Sequence, residues 1–139
     1  MGKAAWAGLA DELVPVSIEG RCADALAVDL KHLKGVAPGS SVRMLPSFDP
    51  YLMGHNNRDH LFDPVYRPRV SRTAGWISAV VLVDGRVMGT WSHTVAKQTL
   101  RITVEPFQKL PSKIRPEIQA CAGEIASILR LAEVKINFA

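Results

Sequence analysis

Residues 76–95 read WISAVVLV, then Asp84-Gly85, then RVMGTWSHTV. An Asp-Gly pair between two β-branched apolar runs predicts a hairpin with a type I′ turn. Both turn positions need positive φ, which Asp and Gly tolerate best. A hairpin of this length commits the chain to an antiparallel sheet. Gly89, inside the second run, marks a bulge or a close approach of two backbones. LRITVEPF (100–107) supplies a third strand, with Leu100, Ile102 and Val104 on one face and Arg101, Thr103 and Glu105 on the other. A helix follows over 116–131, with Pro116 at its first position and Glu117 at the positive end of its dipole. Its expected apolar stripe is Ile118, Cys121, Ile125, Ile128, Leu129 and Ala132. VKINF (134–138) alternates and closes the sheet as a last strand.

The first part of the chain is a smaller unit. KAAWAGLA (3–10) reads as a short helix with Ala5, Trp6 and Leu9 on one side. ELVPVSI (12–18) and CADALAV (22–28) flank Glu19-Gly20-Arg21 and form a second hairpin, with Pro15 confining its strand to an edge or a bulge. Asp29 stands where it would cap LKHLK, and Gly35 where it would end that helix. After the loop APGSS (37–41), VRMLP (42–46) is a short buried strand. Residues 47–75 hold Pro50, Gly54, Pro64, Pro68 and Gly75 and predict an irregular connection with one or two helical turns.

The reading is α+β. A helix-plus-hairpin unit over 1–36 resembles the end of a winged helix. A proline-rich connection over 37–75 follows it. Residues 76–139 then form a mostly antiparallel sheet or small barrel covered by one long helix. The 139 residues suffice for a sizeable core, and 47% hydrophobic against 22% charged residues is a globular mix. No apolar run reaches the ~18 residues of a membrane span, and no signal-peptide core opens the chain, so a cytoplasmic protein is expected. Cys22 and Cys121 stand far apart, outside any C-x-x-C pair, and read as reduced, mostly buried thiols.

Charge is uneven. Residues 1–30 hold Lys3 and Arg21 against Asp11, Glu12, Glu19, Asp24 and Asp29, a net −3, so the remainder carries +7 of the overall +4. Arg58, Arg67, Arg69 and Arg72 cluster near Tyr66 and Trp76. Arginine beside aromatic rings is the composition of a phosphate-contacting surface, and a solvated loop of Arg–Asp pairs is the competing reading.

Other chemistries find less support. His55, Asp59, His60 and Asp63 are metal-ligand types, but no second cluster completes a tetrahedral set. The two carboxylates read as partners for Arg58 and Arg67, or as caps, and no metal is expected. Ser47, His55 or His60, and Asp49 are the residue types of a triad without a nucleophile elbow. Neither G-x-G-x-x-G nor a P-loop occurs, so no cofactor is expected. Asp49, between Phe48 and Pro50, would bond backbone N–H groups and start a turn holding Tyr51, Leu52 and Met53, the competing reading being that it orients a functional group.

VRMLPSFDPYLMGHNNRDHLFDP followed by VVLVDGRVMGTW resembles the AlkZ/YcaQ-type crosslink-repair DNA glycosylases and their winged-helix relatives. The shared positions are Leu45, Pro46, Phe48, Asp49, Tyr51, Leu52, Gly54 and Arg58, then Val83, Asp84, Gly85, Val87, Gly89 and Trp91. His55 stands where the family has a Tyr. The resemblance implies only the C-terminal part of such a protein. Tandem winged helices and a catalytic Gln-x-Gln motif would precede it, whereas Gln98, Gln108 and Gln119 stand alone, so no catalytic residue carries over.

The function expected is therefore a non-catalytic DNA-binding or repair-associated domain. Arg58, Arg67, Arg69, Arg72 and Arg86 would hold double-stranded DNA, the last from the hairpin turn. Phe48, Asp49 and Tyr51 form a structural corner, apolar half buried and arginine-rich half outward. The alternative is a free-standing ligand-binding or protein-interaction module. Two copies are expected to pair through residues 4–18, anchored by Trp6.

Overall fold

The computed structural model describes residues 7–18, 20–33, 35, 41–55 and 57–139. The chain divides into two compact units, Met1–Pro38 and Gly39–Ala139.

In the first unit, β1 (Leu13–Ile18) and β2 (Arg21–Leu26) pair antiparallel, from Leu13 opposite Leu26 to Ile18 opposite Arg21. The hairpin expected from Gly20 is present, with φ 78° at that glycine. Helix α1 (Leu30–Leu33) follows, and the Asp29 carbonyl accepts from the His32 and Leu33 N–H groups. Ala5 and Trp6, on which the expected opening helix and the two-fold contact turn, lie outside the described residues. Leu9 is exposed.

The second unit is a five-stranded sheet in the order β3-β4-β5-β6-β7. The strands are β3 (Val42–Leu45), β4 (Val80–Val83), β5 (Arg86–Ala96), β6 (Thr99–Pro106) and β7 (Glu133–Phe138). All neighbours are antiparallel except β6 and β7, which run parallel through the intervening helix. The Asp84-Gly85 turn has φ 51° and 79°, both positive as a type I′ turn requires.

Gly89 fulfils both expectations placed on it. Val81 pairs with Gly89 but Leu82 pairs with Val87, leaving Met88 as the extra residue of a bulge. A Cβ on Gly89 would sit 2.7 Å from the Glu105 carbonyl oxygen. The bulge also changes which face each side chain takes. Val87 and Trp91 would share a face in a regular strand, since side chains alternate with period two. Here Val87 packs into one core and Trp91 into the other.

Those cores lie on opposite faces of the sheet. On one face Val42, Val81, Trp91, Leu100, Ile102 and Val104 meet Ile114, Ile118, Ala122 and Ala126 of the long helix α4 (Ile114–Ile128). Trp91 satisfies its indole by donating to the Leu45 carbonyl at 2.8 Å. On the other face Val80, Leu82 and Val87 meet Leu52, Leu61, Phe62, Val70 and Ile77.

Several expectations are corrected. Cys22 is exposed and Cys121 half-buried, where both are expected to be mostly buried. Helix α4 spans Ile114–Ile128, not 116–131. Lys113 is its N-cap, so Pro116 falls at the third helical position, where its missing N–H would have had no helical partner anyway. The buried stripe is turned accordingly: Ile128 is 80% exposed and Leu129 47%, while Ile114, Ala122 and Ala126 are buried. The strand over 76–83 is reduced to Val80–Val83, with Ile77 making a single bridge to Ser71. The connection over 47–75 holds four helical turns rather than one or two: α2 (Pro50–Met53), a 3-10 turn at Pro64–Tyr66, α3 (Arg67–Val70), and a 3-10 turn at Thr73–Gly75. The corner does not bury its apolar half as expected. Leu52 is fully buried, yet Phe48 and Tyr51 remain 43% and 39% exposed.

Candidate functional site

The arginine-bearing segment is fixed to the sheet by backbone bonds. The Val87 N–H donates to the Leu61 carbonyl at 2.8 Å and the Ser78 N–H to the Val70 carbonyl at 2.9 Å. The Ser78 hydroxyl adds a bond to the Arg69 carbonyl at 2.8 Å. Within the segment, Asp63 caps the Pro64 turn by accepting from the Val65 N–H at 2.9 Å. Tyr66 then stacks on Phe107 with ring centroids 4.3 Å apart. These contacts set the direction in which α3 presents its side chains.

The five arginines differ in what they do. Arg58 turns inward: its Nε donates to the Leu52 carbonyl at 2.7 Å and a terminal nitrogen to the Ser71 hydroxyl at 3.3 Å. It ties α2 to the end of α3. Arg67 pairs with Asp59 at 2.8 Å, as expected of that carboxylate, but keeps 58% of its side chain exposed. Arg69 lies 4.8 Å over the Phe107 ring and reaches the Glu105 carboxylate at 3.4 Å and its carbonyl at 3.2 Å. Arg72 and Arg86 are exposed. Neither has a side-chain hydrogen bond or ion pair among the described residues.

All five border adjoining hollows. Arg58 and Arg67 share one with Phe62 and Ser71. Arg67 and Arg72 share a broad second one with Pro64, Pro68 and Ser71, of about 510 Å³. Arg69 and Arg72 line a third that Pro68 also borders. Arg86 lines a fourth with Phe62, Tyr66 and Phe107. Guanidinium groups around shallow concavities suit an anionic surface more than a small molecule, which needs an enclosed and largely apolar cleft.

The hairpin turn carrying Arg86 is held from outside the hairpin. The Tyr51 hydroxyl donates to the Gly85 carbonyl at 2.9 Å. The Ser41 N–H donates to the Asp84 carboxylate at 2.7 Å, and the Asp84 N–H returns a bond to the Ser41 carbonyl at 2.9 Å. The corner residue Tyr51 thus fixes a turn far away in sequence, a role that spacing alone could not reveal. Asp49 caps α2 through the Tyr51 N–H at 2.9 Å, as expected.

The groups weighed for other chemistry lie apart from this surface or are engaged locally. The His55 and His60 rings pack edge to face at 4.7 Å. Among the described residues, no group of three His, Cys, Asp or Glu side chains could hold a metal ion. Burial pushes the Cys121 thiol up, with Glu124 adding to the effect. Hydrogen bonds from Thr99 and Lys135 hold the Glu133 carboxyl down. Neither group lines the hollows. Among the described residues, no helix is long and apolar enough to cross a membrane.

Residues 2–128 match the family model described as "DNA glycosylase AlkZ-like". The chain is 40% identical over 131 residues to an interstrand DNA cross-link repair glycosylase of Streptomyces sahachiroi, an alignment covering 93% of this chain and 33% of that protein. It superposes on the solved structure of Streptomyces sahachiroi DNA glycosylase AlkZ with a TM-score of 0.80 at 34% identity, over 96% of this chain and 35% of that one. The chain thus spans about a third of the length of these relatives.

Proposed function

The chain belongs to the AlkZ-like DNA glycosylase family, and on that premise we propose that it is a DNA-holding domain of such a protein rather than its catalytic part. Arg72 and Arg86 contact the phosphates of double-stranded DNA, with Arg67 and Arg69 completing the surface and Arg58 bracing it from behind. The observation that carries this reading is that two exposed guanidinium groups have no acceptor among the described residues while bordering the same run of hollows as the other three. Residues 39–139 hold 13 Lys and Arg against 8 Asp and Glu, a net +5 that draws in a polyanion. The non-catalytic part of the reading rests on Gln98, Gln108 and Gln119 standing alone, whereas the resemblance implies a catalytic Gln-x-Gln.

Fluorescence anisotropy on a short duplex at several salt concentrations tests the proposal. The log–log slope should be roughly −0.9 per phosphate neutralised. Arg72→Ala and Arg86→Ala should each flatten it by about one unit. No binding at low salt, or a slope that ignores both substitutions, overturns the reading and leaves a module for some other partner. Release of a modified base from the duplex by this chain alone would overturn its non-catalytic part.

A further inference from the structure

The chain keeps two large rings half in solvent at one place. Phe48 is 43% exposed and Trp76 49%, with ring centroids 5.0 Å apart in an edge-to-face arrangement. In such a pair the ring offering its edge keeps both of its own faces, and its partner keeps one. Flat aromatic surface therefore remains available.

The backbone is strained to produce this placement. Phe48 has φ 61°, a left-handed conformation unfavourable for a bulky residue. Ala74, at φ 59°, makes the turn that returns the chain to Trp76. The rings these residues present keep about half of their surface in solvent. Strain held at a surface points to a contact made there.

A cationic residue, Arg72, is paired through its backbone with Trp76. Ser71 and Ile77 form an antiparallel bridge, and the next residue outward, Arg72, donates its N–H to the Trp76 carbonyl at 2.8 Å. Alternation turns Ile77 into the core and places Arg72 and Trp76 together on the outer side.

Resting on the DNA-holding reading above, we propose that Phe48, Trp76 and Arg72 form a platform for one unstacked nucleobase of a DNA strand. The base lies against the free aromatic face, and the phosphate next to it lies on Arg72. Every base offers a π-face, so the platform recognises an unpaired or extruded base without reading its identity. This adds a preference for distorted DNA to the sequence-independent grip of the arginines.

The test compares a plain duplex with the same duplex carrying one unpaired nucleotide, at fixed salt. The distorted duplex should bind about tenfold tighter. In a Trp6→Phe background, which leaves Trp76 and the buried Trp91, it should also quench the emission more strongly than the plain duplex, a difference that Trp76→Leu should remove. Trp76→Leu keeps apolar cover but removes the stacking face, and Phe48→Gly removes a ring while relieving the positive φ. Each should abolish the preference while leaving plain-duplex affinity and its salt slope near wild type. Equal affinity for the two duplexes in the wild type overturns the platform but leaves the DNA-holding reading standing, as does a preference that survives Trp76→Leu. Failure of both duplexes to bind at low salt overturns both.

Discussion

Asp49 and Asp63 perform one task twice. Each precedes a proline, each lies near φ −60° and ψ 134°, and each accepts at 2.9 Å from the N–H two residues on. This role is legible in sequence because all its partners are local: an Asp-Pro pair sets its own geometry. Asp49→Ala should lower stability by about 0.5–2 kcal/mol and Asp49→Asn by far less, read from thermal or denaturant unfolding. The arginines show the opposite case. Composition gathers them, but nothing in their spacing separates the inward Arg58 from the outward Arg72. Arg58 finds its acceptors at Leu52 and Ser71, and Arg69 at Glu105, only once the chain has folded back. Arg58→Ala strips a partner from the Leu52 carbonyl and should cost about 1–3 kcal/mol in the same unfolding experiment. Arg72→Ala, lacking such a bond, should leave the midpoint nearly unchanged. Similar destabilisation by both would contradict the division of labour.

At the scale of elements, the Asp84-Gly85 hairpin was readable to within a few residues because turn chemistry and β-branched runs agree. The long helix is less legible at both ends. Pro116 reads as a first helical residue, yet a proline is equally tolerated within the first turn. At the other end the helix stops without a glycine. Arg130 takes φ 55°, its N–H bonds to the Ser127 carbonyl, and the Leu131 N–H bonds to the Ala126 carbonyl. That is a Schellman ending, with arginine at the left-handed position that glycine fills more often. Arg130→Gly should therefore raise stability by up to about 1 kcal/mol. The corrected burial stripe makes a sharper contrast. Ile118→Ala should cost about 2–5 kcal/mol, whereas Ile128→Ala on the exposed side should change stability by about 0.5 kcal/mol or less. Comparable losses at the two sites would restore the stripe read from sequence.

At the scale of the whole molecule, the α+β class and the family were both visible in the sequence. The two-sided use of the sheet was not. Residues 47–75 look like a connection because their helical turns are short and proline-bounded, yet they supply Leu52, Leu61, Phe62 and Val70 to a core of their own. Turns too short for a periodic pattern can still bury large side chains against a sheet. Among the described residues, both cores draw on residues 42–138. A protein of residues 39–139 should therefore unfold in one cooperative transition, checked by calorimetry; a broad, non-cooperative melt would show that this unit needs the first. The order of strands in space is also their order along the chain. During synthesis on a ribosome, β3 waits across residues 46–79 for β4, after which β5 and β6 each emerge to meet the strand made just before them. β7 is the exception in kind, because it pairs parallel to β6 across the whole of α4. Until those last residues leave the exit tunnel, the β6 edge stays open and the nascent chain is at its most vulnerable to pairing with a neighbour on the same polysome.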